Sequence, residues 1–369
     1  MHIADRVTQL PEYPFVTISR TIAAKKAQGI DVISFGIGDP DRETPGFILD
    51  ALDRGTRNTP NHRYPESEGL PEFRKSVTDW YERRFGVSLN PETEAISLIG
   101  AKEGIGHAAL AFLNPGDMAI MPDPAYPVYD VGTIFAGGVS YKVPMHEEAG
   151  WLVDLDDIPS DVAKDAKLLW LNYPNNPTGG VAPLEYFNKV VEYAKANDLI
   201  VLHDNCYSEV VYDGYDAPSF LQAEGAMDVG MEFHSLSKTF NMTGWRIGAA
   251  VGNAELVEAL RVIKSNLDSG VPQAVQEMAI EALDNHGDWV IENNRGYQAR
   301  RDKVVDALRS IGLAVIAPQA GLYVWTRVPE GYTSEQFANA LLEDRDIVVT
   351  PGGSYGQYGE GYIRLSLTL

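Results

Sequence analysis

The run Ser235-Leu-Ser-Lys238-Thr-Phe-Asn-Met-Thr-Gly-Trp-Arg246-Ile-Gly decides how the rest of the chain is read. One lysine follows two serines, Ser235 and Ser237, and an arginine, Arg246, comes after it. A lysine amine condenses with an aldehyde, whereas serine hydroxyls and a guanidinium are natural ligands of a phosphate dianion. Pyridoxal 5'-phosphate (PLP) carries both groups. The competing reading is a solvated loop lysine, so the surrounding pattern has to carry the assignment.

Short apolar runs alternate with helical patterns. Strands are predicted at 95–99, 118–121, 167–171, 199–203, 231–233 and 247–251, and a helix at 102–113. A second helix at 184–197 has Phe187, Val190, Val191 and Ala194 at helical spacing. Such alternation implies a mostly parallel sheet with helices on both faces. Beyond about residue 269 the pattern changes to helices at 272–285, 288–310 and 334–343, with strands at 314–316, 321–327, 347–350 and 362–367. A large α/β domain over 41–270 is expected, with a smaller α+β domain made from 1–40 and 271–369.

In parallel α/β sheets ligands collect beyond the carboxyl ends of strands, where the distinctive polar residues of this chain fall. Gly100-Ala101-Lys102-Glu103-Gly104 opens a helix whose first amides suit an anion, although an ordinary strand–helix turn has the same form. Asp204 ends an apolar run; it is either a helix cap or the partner of a cation such as a pyridinium nitrogen. Tyr207, three residues on, can donate to a phenolate oxygen. Asn176, in Asn172-Tyr-Pro-Asn-Asn176-Pro-Thr-Gly179, is an amide in a turn that prolines and glycine would form without any function. Tyr126 is placed to stack on a flat ring or to pack in the core. Arg364 is a charge inside an apolar strand, requiring an internal carboxylate or a substrate carboxylate.

Composition narrows the classes. The chain has 369 residues, a formal charge of -22 and one cysteine, Cys206. The charge and the lack of a Lys/Arg stripe argue against nucleic acid, and no apolar run is long enough to span a bilayer. One cysteine excludes an internal disulfide or a cysteine metal cluster, and a reducing cytoplasm is the default expectation. His107, His146 and His203 read as structural, without metal-ligand spacing to one another or to nearby carboxylates.

With Lys238, Asp204, Tyr207, Asn176 and Arg364 together, the chain resembles the fold type I PLP-dependent aminotransferases of class I/II along nearly its whole length. Within that superfamily it is most similar to the LL-diaminopimelate aminotransferases, through Ile37-Gly-Asp-Pro-Asp41, Leu98–Ile105, Leu171–Gly179, Phe233–Arg246, Lys264–Gly270 and Val348–Gly352. The resemblance implies a seven-stranded sheet and a phosphate held by Ala101, Lys102, Ser235, Ser237 and Arg246. It implies a substrate site lined by Tyr13, Gly38, Lys102, Tyr126, Asn176 and Arg364. It also implies a homodimer in which Tyr64 reaches the neighbouring subunit's phosphate, and amino transfer between LL-2,6-diaminopimelate or tetrahydrodipicolinate and glutamate or 2-oxoglutarate. Ser67, Tyr355 and 268–272 depart from relatives where the distal end of the substrate would be read. A broad-specificity aspartate, alanine or aromatic aminotransferase and a PLP-dependent β-lyase share the same catalytic residues. A PLP-binding regulator would need a basic DNA-binding module that this sequence lacks.

Overall fold

The computed structural model describes residues 2–10 and 14–368. Seven strands form one sheet: β1 (Ala95–Leu98), β2 (Met118–Asp123), β3 (Val139–Pro144), β4 (Ala166–Asn172), β5 (Ile200–Asp204), β6 (Gly230–Ser235) and β7 (Gly248–Gly252). Their order is β1-β7-β6-β5-β4-β2-β3, with β7 alone running against the others.

The central strands are buried on both faces, and for that reason they read as continuous apolar runs. Successive side chains alternate between two cores. Leu168, Trp170, Leu202 and Phe233 face the helices Ala101–Phe112 and Ala254–Leu267. Leu169, Leu171 and Val201 face the core that includes Phe187 of Leu184–Asn197 and Phe73 and Trp80 of Pro71–Phe85. The expected α/β class and mostly parallel seven-stranded sheet are present.

Some details differ from the sequence reading. Strand β3 was not foreseen: it is a half-exposed edge strand, and Val139, Tyr141 and Val143 alternate with Ser140 and Lys142 instead of forming an apolar run. Residues 314–316 form no strand; Val315 makes a single bridge to Thr326. The run 347–350 is divided, because Ile347–Val348 pairs with Ile33–Ser34 whereas Thr350–Pro351 joins the second sheet. In that sheet, β8 (Tyr323–Arg327), β9 (Thr350–Pro351) and β10 (Tyr362–Ser366) are antiparallel, with β10 central.

Helix Ala254–Leu267 carries Lys264, whose side chain is fully buried. Its Nζ lies 3.0 Å from Asp268 and 3.4 Å from Glu103 of the neighbouring helix. Removing the ammonium leaves two largely buried carboxylates side by side. Lys264→Ala is expected to lower unfolding stability by about 3 kcal/mol, read as a shift in the urea midpoint.

Candidate active site

A cavity of about 340 Å³ opens where β2, β4, β5 and β6 end. The chain must leave the sheet in different directions there, and the polar residues of the turns converge. Gly38, Ala101, Lys102, Tyr126, Asn176, Asp204, Tyr207, Ser235, Ser237, Lys238, Arg246 and Arg364 all line it. Of the other residues singled out by sequence, Tyr13 lies outside the described residues. Tyr64 is 88% exposed and is not among the lining residues.

Lys238 lies in the short helix Leu236–Thr239 directly after β6. Ser235 caps this helix, its Oγ accepting from the Ser237 N–H at 3.2 Å. Lys238 is not a solvated loop lysine: it is partly buried, and its Nζ donates to the Gly38 carbonyl at 2.6 Å.

Beside it is an anion cradle. Gly100 has φ 73, a conformation glycine adopts without strain, and the helix Ala101–Phe112 starts from it. A Cβ at Gly100 would overlap the Arg246 guanidinium, so glycine is what permits this close approach. Arg246 is held by its own Nη1, which donates to the Thr243 carbonyl at 2.8 Å. A helix N-terminus, Ser235, Ser237 and a guanidinium therefore face one space, a donor set suited to a phosphate.

Asp204 is 4% exposed. Its Oδ2 accepts from the Tyr129 hydroxyl at 2.7 Å and its Oδ1 from the Cys206 N–H at 3.3 Å. Burial pushes its carboxyl above the usual carboxylate range, and these hydrogen bonds only partly offset that. A buried acid in this state favours a cationic partner in the cavity, as a protonated ring nitrogen would be. The helix-cap alternative is not realised, since Asp204 closes β5 and no helix starts there.

Asn176 uses its Oδ1 to accept from Arg364 Nη1 at 2.8 Å, which leaves its amide N–H groups as what it can offer to the cavity. Arg364 is fully buried; its Nη2 donates to the Gly36 carbonyl at 2.8 Å, and its guanidinium lies 4.0 Å from the Tyr323 ring centre. The Tyr207 and Tyr323 hydroxyls are 3.1 Å apart. Burial, followed by the Tyr323 phenol, raises the Tyr207 phenol well above its ordinary range, so this hydroxyl remains a proton donor. Together these groups fit a flat phosphorylated ring: a cradle for the phosphate, an acid for the ring nitrogen, donors for a phenolate oxygen, and a lysine for the aldehyde.

Sequence reasoning missed two participants. Tyr129 holds Asp204 and is itself stacked on Trp170 at 4.8 Å; its only signal was its place three residues after Tyr126. Tyr323 had no polar mark, lying among apolar residues of β8. The reading of His107 also needs correction. Glu103 and His107 are one helical turn apart, and with Asp268 they place possible ligand atoms within 4.8 Å of one another. The Lys264 ammonium already bridges the two carboxylates, so the positive charge there is supplied by the chain itself.

The pattern of the family described as aminotransferase class I and II matches residues 30–369. The chain is 57% identical to LL-diaminopimelate aminotransferase of Dehalococcoides mccartyi, over all of this chain and 95% of that protein. It is 51% identical to the protein of that name from Aquifex aeolicus, over 99% of this chain and 95% of the other. Among solved structures, substrate-bound BacF from Bacillus subtilis superimposes with a TM-score of 0.96 at 35% identity, covering 100% of this chain and 94% of that one. Aspartate aminotransferase from Thermus thermophilus with maleate gives a TM-score of 0.94 at 28% identity, covering 100% and 96%. The lysine, buried acid and anion cradle meeting in one cavity agree with these likenesses: the chain belongs to the PLP-dependent aminotransferases of class I and II.

Proposed function

We propose that this aminotransferase moves an amino group between LL-2,6-diaminopimelate, or tetrahydrodipicolinate in the reverse direction, and the pair glutamate and 2-oxoglutarate. The observation that supports it most is the convergence of Lys238, Asp204 and Arg364 on one cavity, in a chain more than half identical along its whole length to proteins named for this reaction. In biosynthesis, the reaction would lie on the way to lysine.

When bound, PLP supplies an electrophilic carbonyl carbon and a ring that withdraws electrons from the substrate's α-carbon. The chain's own groups do the rest. Ser235, Ser237, Arg246 and the first amides of Ala101–Phe112 hold the phosphate. Asp204 would keep a proton on the ring nitrogen, and Tyr129 fixes the carboxylate that would do so. Asn176 and Tyr207 would donate to the phenolate oxygen, and Tyr126 would contribute an aromatic wall to the pocket. Arg364 and Asn176 would bind the substrate's α-carboxylate, with Gly38 and Lys102 lining the same pocket. Lys238 Nζ, which lines the same cavity, would serve as the base that moves the substrate's α-proton.

The working unit is proposed to be a cytoplasmic homodimer. Tyr64 is exposed in the single chain, consistent with reaching the second subunit's phosphate. The domains are proposed as 41–270 and as 1–40 with 271–369; the seven-stranded sheet falls within the first and most of the second sheet's neighbourhood within the other. Ser67 lies against the 268–272 segment, its Oγ donating to the Asp268 carbonyl at 3.5 Å, and neither lines the cavity of its own chain. Distal selectivity is therefore assigned to the partner subunit's copy of this segment.

The decisive experiment is a single-turnover half-reaction followed through the cofactor spectrum. LL-diaminopimelate and glutamate should convert the cofactor to its amine form, with aspartate, alanine and aromatic amino acids inert. Conversion by the latter set would keep the mechanism and discard the substrate; no conversion at all would discard amino transfer. Lys238→Ala should still bind PLP but lose turnover by at least about a thousandfold. Gly100→Ala crowds Arg246 and strains the turn, so fluorescence titration should find PLP bound about tenfold more weakly.

A further inference from the structure

Beneath the cavity, on the opposite face of the sheet from Asp204, lies a fully buried pair that the reaction does not use. His203 and Glu232 are register partners on β5 and β6, and both are completely inaccessible to solvent. Glu232 Oε1 lies 2.7 Å from His203 Nδ1 and also accepts from the Phe220 N–H at 2.7 Å. Its Oε2 accepts from the Ser219 hydroxyl at 2.6 Å. The other ring nitrogen, Nε2, accepts from the backbone N–H of Tyr173 at 3.2 Å. That contact fixes the tautomer: a nitrogen receiving an N–H carries no proton, so the proton is on Nδ1 and is donated to Glu232.

Tyr173 is the first residue beyond β4, and the β4–β5 ladder ends at the pair Asn172 and Asp204. Past that point the two strands part to open the cavity, which leaves backbone groups on both sides without ladder partners. Side chains take over. Asn172 Nδ2 donates to the Asp204 carbonyl at 2.8 Å, and His203 Nε2 accepts the Tyr173 N–H. The turn so anchored carries Asn176, whose backbone N–H is bound by Asn172 Oδ1 at 2.8 Å and whose Oδ1 orients Arg364.

We propose that His203, oriented by Glu232, is a positioning residue that holds the splayed end of β4 so that Asn176 presents its amide to the cofactor's phenolate oxygen and Arg364 to the substrate carboxylate. The inference rests on the PLP-dependent reading of the site, and its effect runs through the backbone of Tyr173. Packing alone would be served by any apolar side chain of this size between Phe187 and Phe220, whose ring centres lie 5.0 and 6.3 Å away.

The test compares His203→Leu, which has no acceptor, with His203→Gln, whose amide oxygen reaches the position of Nε2. In each PLP-loaded protein the pH midpoint of the cofactor's absorbance change and the steady-state constants for glutamate are measured. His203→Leu should raise the midpoint by about 0.5–1 pH unit, because the phenolate oxygen loses a well-placed donor. It should raise KM about tenfold, and His203→Gln should restore both. A lowered melting temperature with midpoint and KM unchanged would overturn the proposal, leaving His203 a packing residue. Should either variant not fold, ¹⁵N spectra of histidine-labelled wild-type protein decide: a proton on Nδ1 and none on Nε2 supports the proposal, whereas a protonated Nε2 overturns it. A wild-type protein lacking the cofactor's absorbance band would instead reject the reading of the site itself.

Discussion

A fully buried guanidinium is the constraint around which this site is organised. Taking an arginine out of water is costly unless its donors are met and its charge has a use. Arg364 meets two of its donors with the Gly36 carbonyl and Asn176 Oδ1 and places its planar face over Tyr323. These contacts join an N-terminal segment, the turn after β4 and the strands β8 and β10 of the second sheet. Both named acceptors are neutral, and the guanidinium they hold lines the cavity that a substrate carboxylate would enter. The same bond that steadies Arg364 also turns the Asn176 amide toward the cavity, so recognition of substrate and of cofactor depend on one geometry.

The cavity is electrically divided. At one end a helix N-terminus, two hydroxyls and Arg246 favour a dianion; elsewhere in the cavity, Asp204 favours a cation. Burial makes Asp204 reluctant to ionise when alone. Pairing it with a protonated ring nitrogen relieves that cost, and the relief appears as cofactor affinity and as added stability of the loaded fold. Tyr129 makes the arrangement directional, because its hydroxyl fixes one carboxylate oxygen and its stack on Trp170 fixes the hydroxyl.

How much of this was legible in the sequence depended on whether a residue was chemically out of place. Asp204 and Arg364 are polar groups at the end of or inside apolar strands, Asn176 and Lys238 lie in the turn and the short helix that follow two others, and all four line the cavity. Tyr129 and Tyr323 went unseen because a tyrosine among apolar residues looks like core until its hydroxyl has a partner. Strand β3 was missed for the opposite reason: an edge strand is half wet, so its apolar content is diluted by alternation. The Glu103–His107–Lys264–Asp268 cluster joins two helices far apart in the chain, and only their packing brings it together. His203 was read as structural, and its position is indeed in the core; the role of its Nε2 depends on where the β4–β5 ladder ends, which periodicity does not locate to a single residue.

The formal charge of -22 has the same sign as the carboxylates and phosphate that this enzyme's substrates and cofactor carry. The resolution lies in distance. At physiological ionic strength charges more than about 8 Å apart across solvent are largely screened, so the acidic surface acts weakly on a ligand inside the cavity. There the field is set by Arg364, Arg246, Lys102 and the aligned amides of one helix, which act at short range and in part out of water. The surface charge governs solubility and encounter, while a few fixed donors govern binding. A net charge that argues against nucleic acid therefore leaves a phosphate or a dicarboxylate open, because the two arguments rest on different length scales.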